Sequence, residues 1–332
     1  MKVLIVGFGS IGKRHIKNLI SIDPHIKIAV LRQNSKTSDL GDLKILVQEV
    51  FFDETKALSW QPDAVLVCNP APFHCASALA FARGDVHLFI EKPLSVITDD
   101  IDPLLMECHK RKLVLMVGYV LRFLEPLKQM KLALQEGKIG RVLSIRASVG
   151  KYLPHWRPVA DYRRSVSARR DLGGGVVFEL SHELDYLRWL VGEIKEVQAL
   201  VEKVSDFDID VEDTAEINLR FENGAMGNIH LDMIDHAAQR LCRIIGSEGT
   251  LVWESTASQS VRLYESRTQR WCELWHQENF DLNQIYIDQL KHFLECIKNS
   301  TTPLTTAEDG RRIVEIALAA KRSSYEQRNI SL

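Results

Sequence analysis

The sequence contains no long apolar run and no large excess of charge of either sign. Charged residues make up 26% of the 332 residues, and the formal net charge at pH 7 is -2. Proteins that bind nucleic acid usually carry an excess of positive charge, so nucleic-acid binding is not expected. No stretch approaches the roughly 20 apolar residues of a membrane-spanning helix. The first apolar run, residues 3–6, ends at Gly7 and is too short for the core of a signal peptide.

Cysteine is also sparse and scattered. The six cysteines include no Cys-x-x-Cys pair and none at zinc-site spacing with histidine, so no metal site is expected. Isolated cysteines are typical of a reducing compartment, and we therefore expect free thiols and a cytoplasmic protein. A chain of 332 residues is longer than a typical single domain with one hydrophobic core, which favours two domains.

Short apolar runs alternate with helical patterns in the first third of the chain. Strands that alternate with helices favour a parallel sheet with right-handed crossovers. The pattern changes after Gly118, which predicts a first domain over 1–118 and a second over 119–332. The elements predicted in the first domain are strands at 2–6, 26–31, 50–52, 64–68, 86–90 and 114–117, and helices at 11–22, 73–83 and before Lys112.

The second domain has a different pattern. Runs between residues 197 and 264 alternate apolar and polar positions, and Asn223-Gly224 is a strong hairpin turn signal. An irregular stretch over 152–175 precedes a helix that ends near Gly192, and helices at 285–298 and 307–323 close the chain. We expect an α+β domain with a large, mostly antiparallel, open-faced sheet. A homodimer or homotetramer would cover that open face, and the last helix is a candidate to pack back on the first domain.

The glycine-rich turn that follows the first predicted strand predicts a dinucleotide site. Residues 7–12 read Gly7-Phe8-Gly9-Ser10-Ile11-Gly12, the Gly-x-Gly-x-x-Gly fingerprint at the start of a helix. Gly7 permits the tight turn, Gly9 lets the diphosphate approach the backbone, and Gly12 lets helix and strand pack closely. The helix N-terminus offers N–H groups to the phosphates. A glycine-rich turn without a ligand is the alternative.

The end of the second predicted strand is expected to select the cofactor. An acidic residue there holds the ribose 2′-hydroxyl of NAD, whereas an arginine favours the 2′-phosphate of NADP. This sequence has Arg32, with Ser35 and Lys36 close behind, and no carboxylate over 30–36. NADP is therefore predicted. The alternative is NAD, with Arg32 as a solvated surface residue.

Four further motifs stand at predicted strand ends and at the start of a predicted helix. They are Asn69-Pro70 with His74, Glu91-Lys92-Pro93, Gly118-Tyr119 with Arg122-Phe123, and Gly173-Gly174-Gly175 leading to His182 and Asp185. Together with the glycine fingerprint, these motifs resemble the glucose-fructose oxidoreductase, inositol dehydrogenase and MocA-like family over nearly the whole chain. The resemblance implies an N-terminal Rossmann domain and an NAD(P)-dependent dehydrogenase or reductase of a sugar or sugar derivative.

The same resemblance implies roles for individual residues. Lys92 is expected beside the nicotinamide, where its charge stabilises a developing alkoxide or steers a proton. His182 is the expected catalytic histidine, which contacts the substrate and exchanges a proton with its hydroxyl. A surface lysine and a structural histidine are the alternatives. The cofactor pocket is expected to include Asn69, Pro70, His74 and Glu91, with a helix-capping role as the alternative for His74.

The expected partner of His182 departs from the family pattern. The family commonly has an aspartate four residues before this histidine, where this chain has Phe178. The spacing predicts that Glu179, His182 and Glu183 share one face of a single helix, so that Glu179 sets the tautomer of His182. The alternative is that His182 works without a carboxylate partner. Asp185 is assigned a structural role.

Arginines and aromatic residues are concentrated over residues 155–170. Arginine forks bind phosphate and carboxylate in a bidentate way, and aromatic faces suit a sugar ring. The stretch predicts an anionic sugar substrate, a nucleotide sugar or a sugar acid. A solvated basic loop or an oligomer contact is the alternative, and Arg122 has the alternative of pairing with a carboxylate. The predicted substrate-binding residues besides His182 are Tyr119, Arg122, Trp156, Tyr162 and Arg163.

Two other functions are compatible with the same motifs. One is an enzyme that keeps bound NAD(P) and uses it transiently, in epimerisation or glycosidic cleavage. The other is a non-catalytic NAD(P)-sensing regulator. The presence of both Lys92 and His182 favours an enzyme over a regulator.

Overall fold

A computed structural model of the protein describes residues 1–33, 40–158, 160–255 and 258–332. The chain divides into two compact units. Unit 1 comprises Met1–Val120 and Leu282–Val314, and unit 2 comprises Leu121–Asp281 and Glu315–Leu332. The helices are α1 (Ser10–Ile22), α2 (Glu54–Ser59), α3 (His74–Ala82), α4 (Ile101–Arg111), α5 (Glu125–Gln135), α6 (Val176–Glu179), α7 (His182–Val191), α8 (Leu282–Asn299) and α9 (Ala307–Glu326).

The two C-terminal helices are divided between the units. Helix α8 and the first part of α9 belong to unit 1, and the rest of α9 belongs to unit 2. The sequence suggests only the last helix for the first domain. None of the helices in the described ranges is long and apolar enough to cross a membrane.

Unit 1 is built on a six-stranded parallel sheet. Its strands are β1 (Lys2–Val6), β2 (Lys27–Leu31), β3 (Glu49–Phe51), β4 (Ala64–Val67), β5 (His87–Ile90) and β6 (Leu115–Val117). The spatial order is β3-β2-β1-β4-β5-β6, which is the Rossmann order, and it confirms the predicted α/β fold. The order reverses between β1 and β4, and ligands of such sheets bind beyond the carboxyl ends of the strands at this switch point.

The core of unit 1 explains its sequence pattern. Val3, Leu4 and Ile5 of β1 are fully buried, because a parallel sheet with helices on both faces has no exposed side. Helix α1 buries only one of its faces against the sheet, and that face includes Gly12, Ile16 and Leu19.

Unit 2 is built on a nine-stranded, mostly antiparallel sheet, as predicted. Its strands are β7 (Val142–Gly150), β8 (Ile194–Glu202), β9 (Thr214–Phe221), β10 (Met226–Asp232), β11 (Gln239–Gly246), β12 (Gly249–Ser255), β13 (Gln259–Glu265), β14 (Arg270–Gln277) and β15 (Ile330–Ser331). The order is β14-β13-β12-β11-β7-β10-β9-β8-β15, and β7 and β10 run parallel. Strands β9 and β10 form the hairpin that Asn223-Gly224 predicts.

Alternate residues of the sheet in unit 2 lie on opposite faces. Ala215, Ile217 and Leu219 of β9 are buried, whereas Glu216 and Asn218 between them are not. Strand β7, at the centre of the sheet, and strand β14, at its edge, lie outside the stretch of alternation recognised in the sequence. Strand β7 does carry the same pattern, with buried residues at 145, 147 and 149.

Candidate functional site

The glycine-rich turn of unit 1 joins β1 to α1 and has the shape that the fingerprint predicts. Gly7 has φ +96°, and a Cβ there would lie 2.8 Å from the backbone nitrogen of Asn69. A Cβ on Gly12 would lie 2.5 Å from the carbonyl oxygen of Gly7. A Cβ on Gly9 would meet no atom of the described residues within 4 Å. The turn is therefore tightly packed at Gly7 and Gly12 and open at Gly9, where a diphosphate would need to approach.

Two cationic side chains surround Phe8 in this turn. The Arg32 guanidinium carbon lies 4.8 Å from the centre of the Phe8 ring, and Lys13 Nζ lies 4.9 Å from it. The backbone nitrogen of Arg32 donates to the carbonyl oxygen of Phe51, which fixes Arg32 at the end of β2. The turn is thus bordered by positive charge on the side expected to hold the adenosine. The predicted contacts of Ser35 and Lys36 lie outside the described residues.

Residues after β4 and β5 are tied together by His74. Its Nδ1 lies 2.8 Å from the carbonyl oxygen of Pro93, and its Nε2 lies 2.7 Å from that of Asn69. Burial lowers the pKa of His74, and the two carbonyl oxygens act against that shift. Lys92 precedes Pro93 across a cis peptide bond and is half-buried. His74 therefore links the loop after β4 to the backbone beside Lys92.

Asn69 and Pro70 stand between β4 and α3. Asn69 Nδ2 donates to the Ser77 hydroxyl at 3.0 Å, and its buried Oδ1 accepts no hydrogen bond from the described residues. Pro70 directly precedes the first turn of the following helical segment. Both residues lie at the carboxyl end of β4, where the fold places ligands.

The Glu91 carboxylate is held by a residue that the sequence analysis missed. His15 of α1 is fully buried, and its Nε2 lies 2.6 Å from Glu91 Oε1. A Cβ on Gly118 would lie 2.9 Å from Glu91 Oε2, so the carboxylate fills the space that this glycine leaves. Burial and the nearby Glu91 charge raise the pKa of Cys68. The sequence feature that indicates this role is the position of His15, one helical turn after Gly12 on the buried face of α1.

The helix predicted to carry Glu179, His182 and Glu183 on one face is broken, and that prediction is wrong. Helix α6 ends at Glu179 and α7 begins at His182, separated by a turn at 180–181. The Ser181 hydroxyl donates to the carbonyl oxygen of Phe178 at 2.9 Å, and such a bond competes with helix continuation.

The two glutamates are held by different partners. Glu179 Oε2 accepts a hydrogen bond from the Ser167 hydroxyl at 3.0 Å. Glu183 is fully buried and pairs with Arg240 Nε at 2.8 Å. Glu179 and Glu183 therefore lie in different surroundings, although the helical spacing predicts that both share one face with His182.

Arg122 forms a buried ion pair with Asp185. Its Nη2 lies 2.6 Å from Asp185 Oδ1, and its Nε lies 3.1 Å from both carboxylate oxygens. This is the carboxylate pairing that the sequence analysis gives as the alternative to substrate binding for Arg122. Tyr119, also predicted to bind substrate, is wholly buried.

The arginine-rich loop of unit 2 divides into paired and cavity-lining arginines. Arg163 pairs with Asp161 at 2.9 Å, Arg169 pairs with Asp171, and Arg170 donates to the backbone carbonyl of Asp210. A cavity of about 410 Å³ lies in the same loop, a volume in the range of small-molecule sites. Its lining residues are Leu153, Trp156, Arg157, Ala160, Asp161, Tyr162, Arg164, Ser165 and Ser167.

Two of the three glycines that end this loop, Gly174 and Gly175, are closely packed. A Cβ on Gly174 would lie 2.3 Å from the carbonyl oxygen of Val166, and one on Gly175 would lie 2.5 Å from Glu212 Oε1. The Glu212 carboxylate also pairs with Lys321 at 2.8 Å. Gly174 therefore allows close packing on a backbone carbonyl, and Gly175 allows close packing on the Glu212 carboxylate. Across the described ranges, histidine, cysteine and acidic side chains form no cluster of three that suits a metal ion.

Two models of one protein family match the chain. Residues 1–119 match the oxidoreductase family, NAD-binding Rossmann fold, and residues 127–252 match the GFO/IDH/MocA C-terminal domain. The myo-inositol 2-dehydrogenase of Thermotoga maritima is 29% identical over 348 residues, which cover 100% of this chain and 98% of that protein.

Solved structures share the fold over the whole length. The chain is similar to the WlbA dehydrogenase from Bordetella pertussis in complex with NADH and UDP-GlcNAcA, with a TM-score of 0.83 at 22% identity, covering 100% of this chain and 98% of that one. It is also similar to levoglucosan dehydrogenase in complex with NADH, with a TM-score of 0.87 at 19% identity and the same coverage.

Proposed function

The chain belongs to the GFO/IDH/MocA oxidoreductase family, and on that basis we propose that it is an NAD(P)-dependent dehydrogenase or reductase of a sugar or sugar derivative. The observation that carries the proposal is the turn over residues 7–12, closed by packing at Gly7 and Gly12 and open at Gly9. Backbone N–H groups at the start of α1 would hold the diphosphate. When bound, the nicotinamide supplies the acceptor or donor of hydride.

Lys92 and His182 are proposed to handle the proton of the reacting hydroxyl. The Lys92 ammonium would stabilise negative charge on the substrate oxygen, and the His182 imidazole would accept or return its proton. The hydrogen bonds of His74 support this role for Lys92, because they fix the backbone on its carboxyl side. Glu179 stays a candidate partner of His182 in this scheme, reached from α6 rather than from a continuous helix.

Turnover with a panel of sugars and both cofactors tests the proposal. The change in absorbance of the reduced nicotinamide would be followed with inositols, anhydrosugars, sugar acids and nucleotide sugars. We expect Lys92→Ala and His182→Ala each to lower turnover by about 10²- to 10⁴-fold with cofactor affinity retained. Lys110→Ala, at an exposed position of α4, is the matched control and should behave as wild type.

The other outcomes distinguish the remaining functions. Product formation without net change in the reduced cofactor would indicate transient use of bound NAD(P), as in epimerisation or glycosidic cleavage. Absence of turnover with every substrate, together with a protein partner that binds only the NAD(P) form, would indicate a regulator.

The proposed preference for NADP is supported by the charge beside the turn. Arg32 and Lys13 both approach Phe8, and an arginine at the end of β2 suits a 2′-phosphate. Replacing Arg32 with Ala should weaken NADP binding by about tenfold or more and leave NAD binding nearly unchanged. Equal losses for both cofactors, measured by calorimetry, would contradict the preference.

We also propose that the substrate is anionic and that the protein is a homodimer or homotetramer. Arg157 and Arg164, which line the cavity of the loop, support an anionic sugar, and the exposed Leu200 and Met226 on the sheet of unit 2 support an oligomer. A neutral inositol as the best substrate would overturn the first statement. A monomeric mass by light scattering at micromolar concentration would overturn the second.

A further inference from the structure

The cavity in the arginine-rich loop has a rigid aromatic wall. Trp156 Nε1 donates to the carbonyl oxygen of Lys151 at 2.8 Å, which fixes the indole ring. Tyr162 packs against Phe207 with ring centres 5.5 Å apart. Both rings line the cavity and are only partly buried, so apolar surface is available to a ligand. Aromatic rings held in this way suit the apolar face of a sugar ring.

The charges around the cavity do not cancel. The Arg163 guanidinium donates to both oxygens of Asp161 and holds the pKa of that carboxyl below its usual range, with a smaller contribution from Arg164. The negative charge of Asp161 is therefore balanced by Arg163, which does not line the cavity. Arg157 and Arg164 line the cavity and form no ion pair with the described part of the chain. The cavity thus has two guanidinium groups in excess.

The floor of the cavity connects to the proposed catalytic segment within unit 2. Ser167 lines the cavity, is almost fully buried, and donates its hydroxyl to Glu179. Its backbone carbonyl accepts from Gly175 at 3.1 Å, immediately before α6. Three residues after Glu179, α7 begins at His182. A ligand in the cavity would therefore lie against the segment that leads directly to the proposed catalytic histidine.

We infer that this cavity binds the acidic group of the sugar substrate, with Arg157 and Arg164 as its ligands and Trp156 and Tyr162 as the walls. The inference rests on the proposed oxidoreductase function and assigns its substrate to sugars that carry a carboxylate or a phosphate. Guanidinium groups bind both anions through paired N–H donors. Arg163, one of the two arginines that the sequence predicts to bind substrate, pairs with Asp161 and does not line the cavity.

Equilibrium binding to the full-length protein tests the inference without requiring turnover. The probes are D-glucuronate, D-glucose 1-phosphate and neutral D-glucose, titrated by calorimetry. We expect both charged probes, or one of them, to bind more tightly than glucose, and the pair distinguishes a carboxylate from a phosphate ligand. Arg157→Gln and Arg164→Gln should each weaken the charged probe by about tenfold and leave glucose unchanged.

Arg169→Gln is the matched control. It removes one positive charge from the same loop, but Arg169 pairs with Asp171 and does not line the cavity. We expect this variant to bind the probes as wild type does. An equal loss in Arg169→Gln would indicate a general charge effect and overturn the inference. Failure of wild type to bind either charged probe more tightly than glucose would overturn it as well.

Turnover measured in parallel separates this inference from the proposed function. Rapid oxidation of a neutral sugar, unaffected by Arg157→Gln and Arg164→Gln, would sustain the oxidoreductase and overturn the anion site. Arginine-dependent binding of a charged probe, with no hydride transfer from any sugar, would sustain the anion site and overturn the oxidoreductase.

Discussion

Nε2 of His15 lies 2.6 Å from Oε1 of Glu91, and the two side chains are buried together in unit 1. His15 comes from the helix that opens the dinucleotide site, and Glu91 directly precedes Lys92. The His15 ring also packs edge-on against Phe89, with ring centres 5.4 Å apart. One hydrogen bond therefore couples the glycine-rich turn to the strand end that carries the proposed catalytic lysine.

Removing His15 should destabilise the protein. His15→Ala loses the hydrogen bond and the aromatic packing and leaves a buried carboxylate without its partner, so we expect a loss of about 2–4 kcal/mol in urea unfolding. His15→Gln, which keeps an N–H donor, should lose less. The control His25→Ala changes an exposed histidine and should be nearly neutral. Equal stability of His15→Ala and wild type would show that the pair contributes nothing.

Gly9 and Gly12 should separate cofactor binding from folding. A methyl group at Gly9 meets no described atom within 4 Å, so Gly9→Ala should fold normally but weaken NAD(P) binding by about tenfold or more. A methyl group at Gly12 meets the Gly7 carbonyl at 2.5 Å, so Gly12→Ala should lose about 1–3 kcal/mol of stability. Calorimetric cofactor titration and thermal unfolding measure the two effects. Normal cofactor affinity in Gly9→Ala would argue against a diphosphate at this turn.

The buried ion pair of Arg122 and Asp185 should be far more sensitive than an exposed one. Arg122→Ala leaves the Asp185 charge buried without this guanidinium, which should cost about 3–5 kcal/mol. Arg163→Ala breaks a solvent-exposed pair with Asp161, made by two hydrogen bonds, and should change stability far less. The double variant Arg122→Met with Asp185→Leu should lose less than the sum of the single variants, as a double-mutant cycle would reveal.

His230 should make stability depend on pH. Burial lowers its pKa, but Glu216 at 2.6 Å and Asp232 at 3.0 Å outweigh burial and raise the pKa above the ordinary 6.5. A raised folded-state pKa means that the stabilisation is complete below pH 6.5 and declines as pH rises through the folded-state value. The stability difference between wild type and His230→Gln, followed by thermal unfolding from pH 5.5 to 9, should therefore shrink with rising pH. A difference that grows with pH would contradict this assignment, and His25→Gln serves as the control.

Local patterns predicted much of the fold and the glycine-rich turn of the candidate site. The turn over residues 7–12 and the strand-helix alternation of unit 1 depend on short-range rules of packing and backbone geometry. Asn223-Gly224 likewise predicts its hairpin because two adjacent residues determine the turn. The break between Glu179 and His182 was missed because the helical spacing continues through it, while the Ser181 hydroxyl competes for a backbone carbonyl.

The sequence by itself determined where the parallel sheet lies, where the glycine-rich turn forms, and which family motifs carry Lys92 and His182, because each is encoded within a few neighbouring residues. Only the tertiary structure decided that His15 holds Glu91, 76 residues away, and that Asp185 engages Arg122, 63 residues away. It also decided which loop arginines are neutralised by a carboxylate and which line the cavity. Charge pairing depends on distance in space, and the order of residues along a chain does not specify that distance.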